Sequence, residues 1–381
     1  MQKQKIVVVT NLFPNSNEPT RGIFVKQLIT HLESHYEIVV VAPLPWRPTS
    51  ADRANVPNFE LIDGIEVLHP RHIVIPKALR ATYSIFMFFR LFPLLRHLRN
   101  EGRCDLISAH WLYPDGVASA AAARLLEIPI YLHAMGSDIN EYSKFFLRRI
   151  QIVKAIESAD AIITKSRALA SRVLDLGVSK TQIHTVPNGI DRSIFYPGDK
   201  DEARKLLNIP GDSFSILYVG NFNKEKNVSL LIRAFAEVVK VRPKAKLLLV
   251  GDGPERKMLE RLAANNVSGG NIIFAGRQAH HSLRRFYQAA DCFALPSTKE
   301  GCPNVLLEAL SCGLSVIASN VGGVPEIVTQ EYGKLVESGN LEEWVQALES
   351  AVSNPPGPVA KFEWPSWADN ADLLKEIFSG R

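Results

Sequence analysis

Residues 292–319 read CFALPSTKEGCPNVLLEALSCGLSVIAS, and this stretch decides the fold. Its first four residues, Cys292–Leu295, are apolar without polar alternation, as expected of a strand covered on both faces of a parallel sheet. Pro296, Gly301 and Pro303 then punctuate a loop. A helix is expected from about Asn304 or Val305 to Ser311, followed by Gly313 and a second apolar run, Ser315–Ala318. Strand, loop, helix and strand in that order make one unit of parallel α/β architecture.

The same rhythm extends outward in both directions. In the second half, strands are expected at Ser215–Val219, Lys246–Val250 and Asn271–Ala275, with helices near Val228–Lys240, Glu255–Ala264 and Ser282–Ala289. In the first half, strands are expected at Lys5–Val9, Glu37–Val41, Ile65–Leu68, Asp105–Ser108, Ile128–Leu132 and Ala161–Thr164. Helical patterns at Ile23–Leu32 and Asp115–Leu126 lie between them. Turn-formers cluster at 187–213, among them Pro187, Gly189, Pro197, Gly198, Pro210 and Gly211. The expected organisation is therefore an N-terminal Rossmann-like domain over residues 1–195 and a C-terminal one over 196–365. A last helix, Ala368–Phe378, falls within 366–381, and its packing is not legible. Two doubly wound sheets of this kind are expected to face each other across a cleft, with ligands at the carboxyl ends of the strands.

Composition narrows the class. Of 381 residues, 46% are hydrophobic and 22% charged, which describes a folded globular chain rather than a disordered one. Cys104, Cys292, Cys302 and Cys312 lack paired metal-ligand spacing and read as reduced thiols of a cytoplasmic protein. The apolar run Ile6–Val9 is too short for a secretory signal, and no run of ~18 apolar residues suggests a membrane span. The net charge of +5 is uneven: residues 1–190 carry 22 Lys and Arg against 16 Asp and Glu, the remainder 22 against 23. A basic first half suits an anionic partner of some kind.

Glu300 lies in the loop at the carboxyl end of the strand 292–295, and Glu308 about one turn into the helix. The two carboxylates can meet one ligand at different heights. Between them, the helix start at Asn304 and Val305 offers unpaired N–H groups to phosphate oxygens. Carboxylates also suit the vicinal hydroxyls of a sugar. Alone, two glutamates at this spacing are more often a surface acid and an ordinary helix residue. A second loop, Val219-Gly220-Asn221-Phe222-Asn223-Lys224-Glu225-Lys226, sits between a strand and a helix, where N–H groups and a lysine can hold a diphosphate.

Taken together, Pro296-Ser297, Glu300-Gly301, Glu308-Ala309-Leu310, Cys312-Gly313, Gly322-Gly323 and Pro325-Glu326 closely resemble the signature of family 4 retaining glycosyltransferases (glycosyl transferases group 1) of the GT-B fold. The resemblance covers essentially the whole chain. It implies that Glu300 contacts the donor sugar and Glu308 the nucleotide ribose. It implies that an arginine and a lysine bracket the pyrophosphate after Gly220: Lys226 matches the lysine, Asn221 stands where the family carries the arginine, and Lys224 reads as surface. The region of Gly276-Arg277 would supply contacts to the base, and Val186–Asp191 matches the interdomain segment. In the first half, Gly22 would let the backbone approach a phosphate closely. No GxGxxG occurs there, which argues against a nicotinamide enzyme. His133 resembles the family histidine that contacts the donor sugar and supports transfer. His110 ends a neighbouring strand, and Asp138 is an acceptor-side candidate. For each lone histidine the commoner role is structural.

The implied activity is metal-independent retaining transfer of a hexose from a UDP- or GDP-sugar to a glycan or lipid-linked acceptor, with no cofactor. The expected setting is cell-surface polysaccharide or glycolipid assembly. No Asp-x-Asp motif is present, and no nucleic-acid reading motif. Residues 77–103 hold Lys77, Arg80, Arg90, Arg96, Arg99 and Arg103 among large apolar residues, with Glu101 as the one acid. This describes either a helix lying on the inner face of a membrane or a core helix with a basic outer side. Two alternatives stay open: a nucleotide-sugar-binding protein without transfer, suggested by Asn221, and a nucleotide-sugar epimerase on the same fold.

Overall fold

A computed structural model describes residues 3–46, 56–75, 79–178, 181–267 and 270–380; Lys77 lies outside them. The chain divides into two compact units, Met1–Asn188 with Trp367–Arg381, and Gly189–Ser366.

The first unit contains β1 Gln4–Val9, β2 Tyr36–Val41, β3 Leu44–Pro45, β4 Phe59–Ile62, β5 Ile65–Leu68, β6 Arg71–His72, β7 Leu106–His110, β8 Ile130–Ala134, β9 Ala161–Thr164 and β10 Gln182–Thr185. Eight strands form one sheet in the order β10-β9-β8-β7-β1-β2-β5-β4, while β3 pairs with β6 apart from it. Every pairing in the large sheet is parallel except that of β4 with β5. Central β1 has no exposed face, because side chains alternate across a sheet covered on both sides. Val7 and Val9 pack with Leu91, Leu95 and Ala122 on one side. Ile6 and Val8 pack with Leu28, Ile29 and Leu374 on the other.

Leu374 belongs to the last helix, Trp367–Phe378, which lies against helix Ile23–Leu32. Its end is fixed by ring contacts of Phe378 with Tyr36 and Tyr131, and by the Tyr131 hydroxyl donating to the Phe378 carbonyl at 3.1 Å. The final helix thus completes the first unit although it follows the second in sequence.

The second unit contains β11 Ser215–Val219, β12 Lys246–Val250, β13 Ile272–Gly276, β14 Cys292–Leu295, β15 Val316–Ser319 and β16 Gly333–Val336, ordered β13-β12-β11-β14-β15-β16 and parallel throughout. It begins at Gly189, earlier than the expected 196, because Ile190 and Phe195 are buried in its core. The strands expected from apolar runs fall within two residues of those observed. Strands β4, β10 and β16 were not expected: each is short, carries polar residues and lies at or beside a sheet edge. The helix expected from Asp115 starts at Val117, since Leu112–Gly116 forms a separate wide turn.

Candidate active site

In the second unit the strand order reverses between β11 and β14: the chain leaves β11 toward β12 on one side and β14 toward β15 on the other. Loops from the carboxyl ends of these neighbours diverge, which opens a crevice of the kind where doubly wound sheets bind ligands. Loop 220–227 leaves β11 and loop 296–303 leaves β14. They are tied together by Thr298, whose N–H and hydroxyl both donate to the Glu225 carbonyl, at 2.8 and 3.1 Å. Asn223 caps the short 3-10 turn Lys224–Lys226 by accepting from the Lys226 N–H at 3.1 Å.

This arrangement brings Lys226 Nζ to 2.6 Å from Glu300 Oε1, with side chains 25% and 8% exposed. An ammonium has three protons, so a lysine that gives one to a carboxylate can still offer two to phosphate oxygens. The Glu300 backbone is held from behind by Gly322. Its φ of +53° favours glycine, and a Cβ there would fall 1.9 Å from the Glu300 carbonyl oxygen.

Helix Asn304–Ser311 starts beside this pair with Pro303 before it and no side-chain cap, while Leu306 and Leu307 anchor it in the core. Glu308, in its second turn, is 5% exposed. Its two oxygens are shared between the Tyr287 hydroxyl at 2.8 Å and His280 Nε2 at 3.1 Å. Burial and the Glu308 carboxylate together push the Tyr287 hydroxyl well above its ordinary pKa, so it stays a proton donor. Tyr287 and His280 were not singled out from the sequence. A tyrosine on an amphipathic helix reads as packing, and only the fold turns its hydroxyl toward Glu308.

The other expected donor residues are less engaged. Asn221 is exposed, and its carbonyl accepts from the Tyr218 hydroxyl at 3.0 Å. Gly220 joins β12 through its N–H to the Val250 carbonyl at 3.0 Å. Lys224 is exposed, as is Arg277 one residue past β13.

In the first unit, His110 and His133 are register partners on β7 and β8. Their rings stack with centroids 3.9 Å apart and planes 11° from parallel. Ser108 Oγ lies 3.0 Å from His133 Nε2 and 3.4 Å from His110 Nε2. Both rings are buried, and neither Nδ1 has a hydrogen-bond partner among the described residues. Burial, reinforced by Lys165, lowers the His110 pKa to about 3. Burial, His110 and Lys165 drive that of His133 well below the ordinary value. Two neutral rings can stack this closely; two imidazolium ions cannot.

Asp138 is buried and accepts from the backbone N–H groups of Leu112, Met135, Gly136 and Ile139 at 2.8–3.1 Å. Its carboxylate therefore fixes the loops after β7 and β8. Gly22 starts helix Ile23–Leu32 with φ +58°, and a Cβ would sit 2.1 Å from the Leu12 carbonyl oxygen, so close approach is required there.

A further acid emerges at the reversal between β7 and β1. Asp115 is fully buried; its Oδ2 accepts from Asn11 Nδ2 at 2.7 Å and its Oδ1 has no partner among the described residues. Burial outweighs the stabilising contacts and raises its pKa to about 7.

Comparison with known proteins agrees with this architecture. Residues 22–194 match the family described as Glycosyltransferase Family 4, and residues 199–362 that described as Glycosyl transferases group 1. A Bacillus subtilis glycosyltransferase assigned to teichuronic acid biosynthesis, TuaC, is 29% identical over 357 residues, covering 90% of this chain and 88% of that one. Sucrose-phosphate synthase from Thermosynechococcus elongatus superposes with a TM-score of 0.79 at 22% identity, over 99% of this chain and 100% of the other. Anabaena HepE in complex with UDP and glucose gives 0.77 at 19% identity, with the same coverage. The two doubly wound units are those of a glycosyltransferase with the GT-B fold. The chain belongs to the group 1, family 4 glycosyltransferases.

Proposed function

We propose that this enzyme transfers a hexose, with retention of configuration, from a UDP- or GDP-sugar to a glycan or lipid-linked acceptor. The setting would be polysaccharide or glycolipid assembly at the cytoplasmic face of a membrane. The observation that carries the reading is the Lys226–Glu300 pair at the strand reversal of the second unit, beside an uncapped helix start and in front of Glu308. Lys226 and the first-turn N–H groups would take up the charge that develops on the leaving diphosphate, with no metal required. Glu300 would hold sugar hydroxyls, and Glu308 the ribose. Similarity to HepE, solved with UDP and glucose, supports a UDP-sugar donor, and similarity to TuaC supports a polysaccharide product.

His133 would take part in transfer as a neutral ring, in keeping with its depressed pKa. The exposed Asn221 motivates a second reading, a protein that binds nucleotide-sugar without transferring it. A panel of UDP-, GDP- and ADP-sugars incubated in the presence of EDTA separates the two. Slow donor hydrolysis, accelerated by an acceptor extract, is expected; binding without turnover would favour the second reading.

A further inference from the structure

The first unit carries an apolar surface that its own core does not use. Helix Tyr83–Asn100 buries Met87, Leu91, Leu95 and Leu98 against the sheet, so most of its large apolar side is core. Ile85 and Phe89, one turn apart, remain 49% and 65% exposed. Across a groove of about 750 Å³ they face Ala121, Arg124 and Leu125 of helix Val117–Leu126 and Lys154 of helix Phe146–Glu157. Leu125 is 64% exposed.

The helix that ends this groove begins with three consecutive large apolar residues in solvent: Phe145, Phe146 and Leu147 are 56%, 75% and 60% exposed. Leu147, Gln151 and Lys154 recur at helical spacing, and the last two line the groove, so this wedge leads toward it. Phe145 is also fixed from inside, since the buried Arg148 guanidinium lies 4.6 Å from its ring centroid.

Charge selects the occupant. Helices Tyr83–Asn100 and Val117–Leu126 carry Arg90, Arg96, Arg99 and Arg124 and no acid, and around helix Phe146–Glu157 the exposed Lys144, Arg149 and Lys154 outnumber its one acid, Glu157. A second copy docking through this patch would bring one set of cations against the other, which an isologous interface cannot relieve. Large apolar side chains protruding among cations instead match a bilayer with anionic headgroups. Among the described residues no helix is long and apolar enough to cross a membrane, so such contact would be peripheral.

We propose that this three-helix face, led by Phe146 and Leu147 with Ile85, Phe89 and Leu125 around the groove, docks the enzyme on an anionic bilayer. The inference deepens the lipid-linked acceptor reading and rests on it for its purpose, though vesicle binding itself is measured without donor. The test is flotation of the full chain with vesicles of phosphatidylglycerol and phosphatidylcholine, against phosphatidylcholine alone, at low and high salt. Binding to the anionic vesicles, weakened by salt, is expected. The pairs F146S/L147S and I85S/F89S should each lower the partition coefficient at least ~10-fold while leaving donor hydrolysis without vesicles unchanged. The substituted side chains are exposed, and far-UV circular dichroism checks that both variants stay folded. Absence of vesicle binding by the unaltered chain, binding by both variants as tight as that of the unaltered chain, or a dimer that F146S/L147S dissolves would overturn the proposal. Flotation without any donor hydrolysis would count against the transferase reading and leave the docking surface standing.

Discussion

Lys226 Nζ and Glu300 Oε1 stand 2.6 Å apart, joining the loop after β11 to the loop after β14. Seventy-four residues separate them in sequence, and the reversal of strand order brings them together. Without a ligand the two charges neutralise each other, and Glu300 fixes the place of the ammonium between the two loops. Under the proposed function, an entering diphosphate would meet a lysine already oriented.

The two single variants should therefore behave differently. Lys226→Ala removes the charge proposed to face the leaving group and should lower kcat by ~10²–10³-fold. Glu300→Ala removes the proposed sugar contact but also frees Lys226 from its competing carboxylate. It should lower turnover while UDP alone binds as tightly as before or more tightly. Calorimetric titration with UDP, run beside donor turnover, checks the split; equal loss of UDP affinity in both variants would contradict it.

Glu308 offers a second separation. Its Oε2 is held by the Tyr287 hydroxyl inside the core. Tyr287→Phe keeps the ring packing but leaves a buried carboxylate oxygen without that donor, which should cost about 1–3 kcal/mol of stability. The loosened carboxylate should also bind nucleotide less well, with KM for donor rising more than kcat falls. Urea denaturation and donor kinetics on the same preparation test both halves.

Much of this geometry was legible beforehand, for definite reasons. The strands β11, β12 and β14 are unbroken apolar runs because both sheet faces are covered, and Glu300 and Lys226 follow such runs directly. Edge strand β16 was not, since an edge needs no continuous apolar run. The partners of Glu308 lay hidden because His280 and Tyr287 reach it only through tertiary packing. Asp138 was expected on the acceptor side, yet four backbone donors converge on it, a fact that spacing cannot reveal. Asp115 stood at the start of an expected helix, but its hydrogen-bond partner Asn11 lies more than a hundred positions away in sequence.

The buried titratable groups set opposing pH dependences. For His110, the folded pKa of about 3 lies below the ordinary 6.5, so the unfolded chain binds a proton that the folded one refuses. His133 shifts in the same direction. Each therefore removes stability as pH falls below 6.5, by at most ~1.4 kcal/mol per pH unit. Asp115 acts in reverse: with a folded pKa of about 7 against 3.8, the folded state holds a proton the unfolded state releases. Its contribution is full below pH 3.8 and is lost as pH rises toward 7. Between pH 6.5 and 4 it offsets one histidine. Asp115→Asn should thus make acid destabilisation in that window steeper, and should raise stability above pH 7. Urea midpoints at pH 5, 6, 7 and 8 would show both changes; an unchanged slope in the variant would contradict the assignment.

The last helix provides a test of how the chain is partitioned. Phe378 is 6% exposed and packs on Tyr36 and Tyr131, residues of the first unit, although the whole of Gly189–Ser366 intervenes in sequence. Phe378→Ala leaves a cavity beside β2 and β8 and should cost about 3–5 kcal/mol. That loss should fall on the first unit, because the ring contacts of Phe378 with Tyr36 and Tyr131 lie within it. Nucleotide binding measured with UDP stabilises whichever unit holds the donor site. Calorimetric unfolding of the variant should therefore show the transition unaffected by UDP moving down in temperature, while the transition raised by UDP stays in place. A single transition lowered as a whole would mean that the two units unfold as one.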